Sequence, residues 1–212
     1  MASVADCPTS RREARRESRR DAILQVASDS FLEFGYAGTT MSAIAATLGG
    51  SKGTLWSYYP SKELLFNDVL DRLTRDFRAR LTLILKTQGD VETTLRRFCA
   101  EFLRKVTTPE SIALYRLIIS ETSRFPEVGR IFYERGPRLT QHQLAGYFSG
   151  AIDRGLVRKA DPLQAARQLI GLCLSGSHQR LLTGVIDELE PGQLDEDIDR
   201  AMDIFMRGYA PE

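Results

Sequence analysis

The outward-facing residues with the most to offer a partner lie in TTMSAIAATLGGSKGTLWSYYPSK, Thr39 to Lys62. Thr40 has the chemistry of a helix N-cap ahead of Ile44, Ala45 and Leu48, and Gly49-Gly50 suit a left-handed stop. Ser51 would cap a second helix over Lys52 to Tyr58, which Pro60-Ser61 end. Leu55 and Tyr59, four residues apart, anchor one face of that helix, so Thr54, Trp56, Ser57 and Tyr58 must point elsewhere with hydrogen-bonding or aromatic groups. Gly53 in the first turn costs about 1 kcal/mol against alanine. It suits a helix start whose backbone approaches a phosphate. The chemistry implied is recognition of a nucleic acid: two helices across a glycine turn make a helix-turn-helix, whose second helix fits the DNA major groove.

Other chemistries fit poorly. GGSKGT resembles a phosphate loop, yet Ser51 stands where glycine must precede the lysine, and no strand leads into it. His142 and His178, the two histidines, are not at metal-ligand spacing from each other or from a cysteine, so no metal is expected. Cys7, Cys99 and Cys173 are odd in number and widely spaced, which argues against a disulfide framework. Cys99 and Cys173 fall in apolar stripes, as packed thiols do. No acidic pair or nucleophile motif stands out, so an enzyme is the weakest reading and no cofactor is expected.

The 212 residues suffice for a small DNA-reading unit plus a helical domain with its own core. Apolar residues at 42% and charged residues at 27% describe a globular chain; with no long apolar run and no signal-peptide pattern, the expected location is cytoplasmic. Net charge is only +1, so affinity for DNA must come from local placement of charge. Met1 to Ser10 is expected to be disordered, and residues 1–18 to form a flexible basic arm. Arg11, Arg12, Arg15, Arg16, Arg19 and Arg20 would make a stripe along phosphates or into the minor groove.

Every element that follows reads as helix. Ile23, Val26, Ala27, Ser30, Phe31 and Phe34 recur at helical spacing up to Gly35. From Ser61 a long helix carries Leu65, Phe66, Val69, Leu70, Leu73, Phe77, Leu81, Ile84 and Leu85 on one side. After Gly89 come a stripe from Val91 to Val106 and a helix near Ile112 to Ile119, apolar nearly all round and so expected to be buried. A short helix reaches Gly136-Pro137, another runs from Leu139 to Ile152, and Asp161-Pro162 open one continuing to about Thr183. The last spans Leu194 to Tyr209. The fold class is therefore all-α: a DNA-binding domain over residues 19–78, joined by the long helix to a ligand-binding and dimerisation domain over 79–212.

Ile23, Ala27, Phe31, Gly35-Tyr36, Thr39-Thr40, Ile44-Ala45, Ser51 to Leu55, Tyr58-Tyr59 and Ser61 to Leu64 resemble, without slips in spacing, the DNA-binding domain of TetR-family transcriptional regulators. Gly50 departs from the valine usual there. The resemblance implies that Thr40, Ser51, Lys52, Gly53, Ser57, Tyr58 and Lys62 meet phosphates or backbone, and that Thr54 and Trp56 reach base edges or thymine methyls. LYRLIISETSRFPEVGRIFYERGP and GLVRKADPLQAARQLIGL are similar to the C-terminal domain of the AefR-like branch. The resemblance implies a homodimer on a palindromic operator that leaves DNA when a small molecule enters the C-terminal domain, more in keeping with a repressor. A DNA-binding dimer without a ligand is the alternative.

In that domain Ala165, Ala166, Gly171, Leu174, Ser175 and Gly176 combine small residues with an apolar one and are expected at the dimer interface. Phe98, Cys99, Phe102, Tyr115, Phe148 and Cys173 are expected to wall a cavity for an apolar or aromatic inducer.

Overall fold

A computed structural model describes residues 11–49, 52–86 and 89–211, with the backbone alone at Arg11, Arg12 and Lys52. The expectations for Met1 to Ser10, including Cys7, and for Gly50 and Ser51 lie outside the described residues. The described residues form eleven helices and no strand. Contacts divide the chain into two compact units, residues 1–69 and 70–212. The division falls inside the long helix, earlier than the boundary at 78 expected from sequence.

In the first unit, α1 (Arg11–Gly38) is helical from its first described residue, so residues 11–18 extend the helix rather than form a loose arm. Its one irregularity is Gly35, at φ 73 and ψ 176, a conformation open to glycine alone. The bend buries Tyr36 beside Phe31 and Phe66, with ring centroids 4.9 to 5.8 Å apart. Thr39 locks it, its hydroxyl donating to the Gly35 carbonyl at 2.7 Å and lying 2.9 Å from that of Ser30. α2 (Met41–Thr47) and α3 (Lys52–Tyr58) follow. Ile44, Leu55, Tyr59, Leu65 and Phe66 complete this small core.

α4 (Lys62–Leu85) contributes residues to both units. The second unit continues with α5 (Val91–Val106), α6 (Pro109–Thr122), α7 (Pro126–Arg135) and α8 (Pro137–Asp153), then α9 (Pro162–Leu174), α10 (Ser177–Leu182) and α11 (Gln193–Tyr209). Asp90, Thr108 and Asp161 cap α5, α6 and α9 through their side chains, each accepting a backbone N–H three residues on. One apolar cluster joins α4, α5, α8, α9 and α11.

Two expectations fail here. The helix opened by Pro162 does not run to Thr183 but breaks at Ser175-Gly176, where Gly176 leaves helical geometry at φ −98 and ψ −121. The cause lies twenty residues away, in the Asp197 carboxylate, which accepts the Ser177 N–H at 2.8 Å and starts a new helix. Nor is α6 wholly buried: Ile112, Leu117 and Ile118 are, whereas Ile119 is 59% exposed.

Candidate nucleic-acid interface

In the helix-turn-helix, both ends of α2 are chemically closed. The Thr40 hydroxyl accepts the Ala43 N–H at 3.1 Å, and Gly49 takes a φ of 64 where α2 stops. Leu55 and Tyr59 are buried as the spacing requires, which fixes the rotation of α3. Its other face stays open: Trp56 is 43% exposed, Gly53 and Ser57 are exposed, and Thr54 and Tyr58 are half-buried. Ser57 donates to the Thr54 carbonyl at 2.7 Å, which leaves its oxygen as an acceptor. Lys52 begins α3, and its side chain, like Ser51, lies outside what is described.

Lys62 requires a correction. Expected at phosphate, its ammonium donates to the carbonyls of Tyr36 and Thr39 at 2.8 and 3.2 Å and sits 4.2 Å from the Tyr36 ring centre. Those carbonyls stand where α1 ends, and a cation there satisfies acceptors that the helix leaves over. Lys62 is thus a strut inside the unit.

A network not legible in the motif ties the start of α1 to α4. Arg20 donates through Nε to the Tyr59 hydroxyl at 3.1 Å and through Nη2 to Asp68 Oδ2 at 2.5 Å; the Tyr59 hydroxyl donates to the same oxygen at 3.1 Å. Burial pushes the Asp68 carboxyl up, but the bonds from Arg20 and Tyr59 outweigh it and hold the group below its ordinary range. Burial raises the Tyr59 phenol. One turn earlier the Arg16 guanidinium lies 5.9 Å from the Tyr58 ring centre. Of the arginine stripe, Arg15 and Arg16 are exposed and Arg19 is half-buried.

In the second unit the expected site residues divide. Phe98, Cys99, Phe102, Phe148 and Cys173 do come together, but as members of the closed apolar core, none more than 6% exposed. They pack against one another and their neighbours there: Phe98 stacks on Phe102 at 6.0 Å, and Phe148 lies tilted against Phe205 at 5.3 Å. Tyr115 stands apart from them, edge-on to Phe132 and His178. Ala165 and Ala166 are fully buried within the subunit, so they are not available to a second copy. Gly171 and Ser175 are exposed, Leu174 is half-buried, and Gly176 packs under Asp197.

A capped helix-turn-helix whose second helix buries one face and presents an indole on the other defines a DNA-binding regulator. Residues 93–211 match the domain described as AefR-like transcriptional repressor, C-terminal domain, and residues 23–69 match bacterial regulatory proteins, tetR family. The chain belongs to the TetR family of transcriptional regulators. Among solved structures, the Flavonoid-responsive Regulator FrrA is 29% identical with a TM-score of 0.81, over 92% of this chain and 99% of that one. The transcriptional repressor AcnR of Corynebacterium glutamicum is 27% identical over 80% of this chain and 85% of its own length. The regulator RutR of Escherichia coli (strain K12) is 29% identical over 68% of this chain, which spans 62% of its length. No described helix is long and apolar enough to cross a membrane.

Proposed function

We propose that the protein is a homodimeric repressor that reads an inverted-repeat operator through α3 and leaves it when a small apolar or aromatic molecule binds the second unit. The observation that carries the reading is Trp56, a large apolar ring 43% exposed on a helix whose opposite face is fixed by Leu55 and Tyr59. Such exposure on a short helix suits contact with base edges or thymine methyls, with Thr54 beside it. Thr40, Gly53, Ser57 and Tyr58 would position the helix on the phosphates, with Ser51 and Lys52 at its start.

A module this small needs two copies whose reading helices lie about 34 to 36 Å apart, or a multiple of that. Gly171, Leu174 and Ser175 on and after α9 are left for the pairing, and Ile204 on α11 is 56% exposed. Support for the sign comes from the repressor description of the C-terminal match, and support for ligand response from FrrA, named flavonoid-responsive. The closed core around Phe98 and Cys173 favours the second reading, a DNA-binding dimer that answers to no ligand.

Selection of bound fragments from a genomic library, followed by footprinting, tests the proposal. Inverted repeats with half-sites one or more turns apart are expected, and protection of single unpaired half-sites would sink the dimeric reading. Screening aromatic compounds for release of the footprinted operator then separates the two readings.

A further inference from the structure

His178 is 4% exposed, and its Nε2 atom is buried with no hydrogen-bond partner among the described residues. A buried polar nitrogen left unpaired opposes folding, and native structures rarely keep one without use. Its surroundings are aromatic: the Tyr115 ring stands edge-on at 5.5 Å, and Phe132 stands edge-on to Tyr115 at 5.1 Å. Tyr115 and Phe132 are only half-buried, so the group has an edge at the surface.

The short helix that carries His178 is fastened at both ends by side chains from other helices. Asp197 of α11, 7% exposed, accepts the Ser177 N–H at its start. Arg116 of α6 donates to the carbonyls of Leu181 and Leu182 at its end, at 2.6 and 3.1 Å. A six-residue helix has little stability of its own. Held this way, it keeps the imidazole in one orientation against Tyr115 and links that orientation to α6 and α11.

We infer that His178, Tyr115 and Phe132 form the polar-aromatic end of an effector site, and that the ligand class it takes is a hydroxylated aromatic: a ring to pack edge-on against Tyr115 and Phe132, with a hydroxyl hydrogen-bonded to His178 Nε2. The inference rests on the ligand-responsive reading above and names the chemistry of its ligand. Either neutral tautomer serves, since a phenolic hydroxyl both donates and accepts. Burial pushes the imidazole below its ordinary value, which keeps it neutral at physiological pH and fit for this bond. Because the nitrogen has no other partner among the described residues, an analogue lacking the hydroxyl leaves it unpaired and binds worse by about tenfold or more.

The test uses the full-length protein with phenol and toluene as probes. They share a ring and differ in the hydroxyl. Long-range proton–nitrogen spectra resolve the two imidazoles, and exposed His142 is the internal control. Phenol should shift the His178 ring nitrogens and leave those of His142 in place; toluene should bind about tenfold or more weaker. His178→Phe should abolish the preference for phenol, and His178→Gln, which restores a hydrogen-bonding group in a similar volume, should recover part of it. Unmoved His178 resonances up to millimolar phenol, or an equal preference in His178→Phe, overturn the inference. Release of operator by some other compound in wild type and His178→Phe alike would remove His178 while leaving the ligand-responsive reading standing.

Discussion

Arg20 and Asp68, 48 residues apart, meet with Nη2 and Oδ2 at 2.5 Å, and the Tyr59 hydroxyl bonds to both. Tyr59 directly follows α3, so the contact that anchors the inner side of the reading helix also holds the start of α1. The Arg20 side chain is 55% exposed, which limits the pair to about 1 kcal/mol of stability or less. Its effect is expected on orientation instead. Asp68→Asn should shift the unfolding midpoint little, yet weaken operator and non-operator DNA alike by roughly fivefold, because the Arg15 and Arg16 region is no longer held in place. Titration of binding by the variant, with circular dichroism as the control for folding, checks it.

The same pair sets a pH dependence. The folded carboxyl of Asp68 titrates below its ordinary value, so its contribution is fully present above the usual carboxylate range, about 3.9. It is lost only as pH falls through the lower folded value. Urea melts of wild type and Asp68→Asn should therefore differ by a constant amount from pH 5 to 8 and begin to converge only below about pH 4, closing as pH falls through the lower folded value.

Lys62 gives the sharpest contrast between sequence and structure. As a strut on the Tyr36 and Thr39 carbonyls, it is expected to cost about 1 to 3 kcal/mol of unfolding free energy when changed to alanine. The slope of log affinity against log salt should stay as it is in wild type. A phosphate ligand would behave the other way, flattening the slope by about 0.9 with little loss of stability.

Gly176 is expected to tolerate no side chain, since a Cβ there would collide with the Asp197 carboxylate. Gly176→Ala should destabilise the second unit by about 1 to 3 kcal/mol in urea melts through overpacking. On the neighbouring surface, Gly171→Arg and Leu174→Glu should give folded monomers in light scattering. If both variants stay dimeric and bind operator normally, these positions leave the proposed interface.

Much of the fold was legible because helix ends carry local chemistry. Asp161-Pro162, Thr40 and Gly136-Pro137 each mark a boundary that the structure keeps. What escaped depended on distant partners. The break at Gly176 is fastened by a carboxylate on another helix; Ser175-Gly176 is a local turn signal, but the apolar spacing that continues past it hides the stop. Ala165 and Ala166 are small residues that serve close packing inside a subunit as well as between two, so their type could not say which. Lys62 carries the charge of a phosphate ligand, and only the bend at Gly35 reveals the carbonyls that hold it. The exposed face of α3 was legible because Leu55 and Tyr59 fix its rotation within one turn.

The central claim, that α3 reads DNA through the face bearing Trp56, is tested most directly by tryptophan emission on titration with footprinted operator. Trp56 is the sole tryptophan, so the signal has one source. Emission should change in step with operator occupancy, and Trp56→Ala should bind operator more weakly and prefer it less over unrelated DNA. Unchanged emission at saturation, together with wild-type affinity and preference in Trp56→Ala, would contradict it.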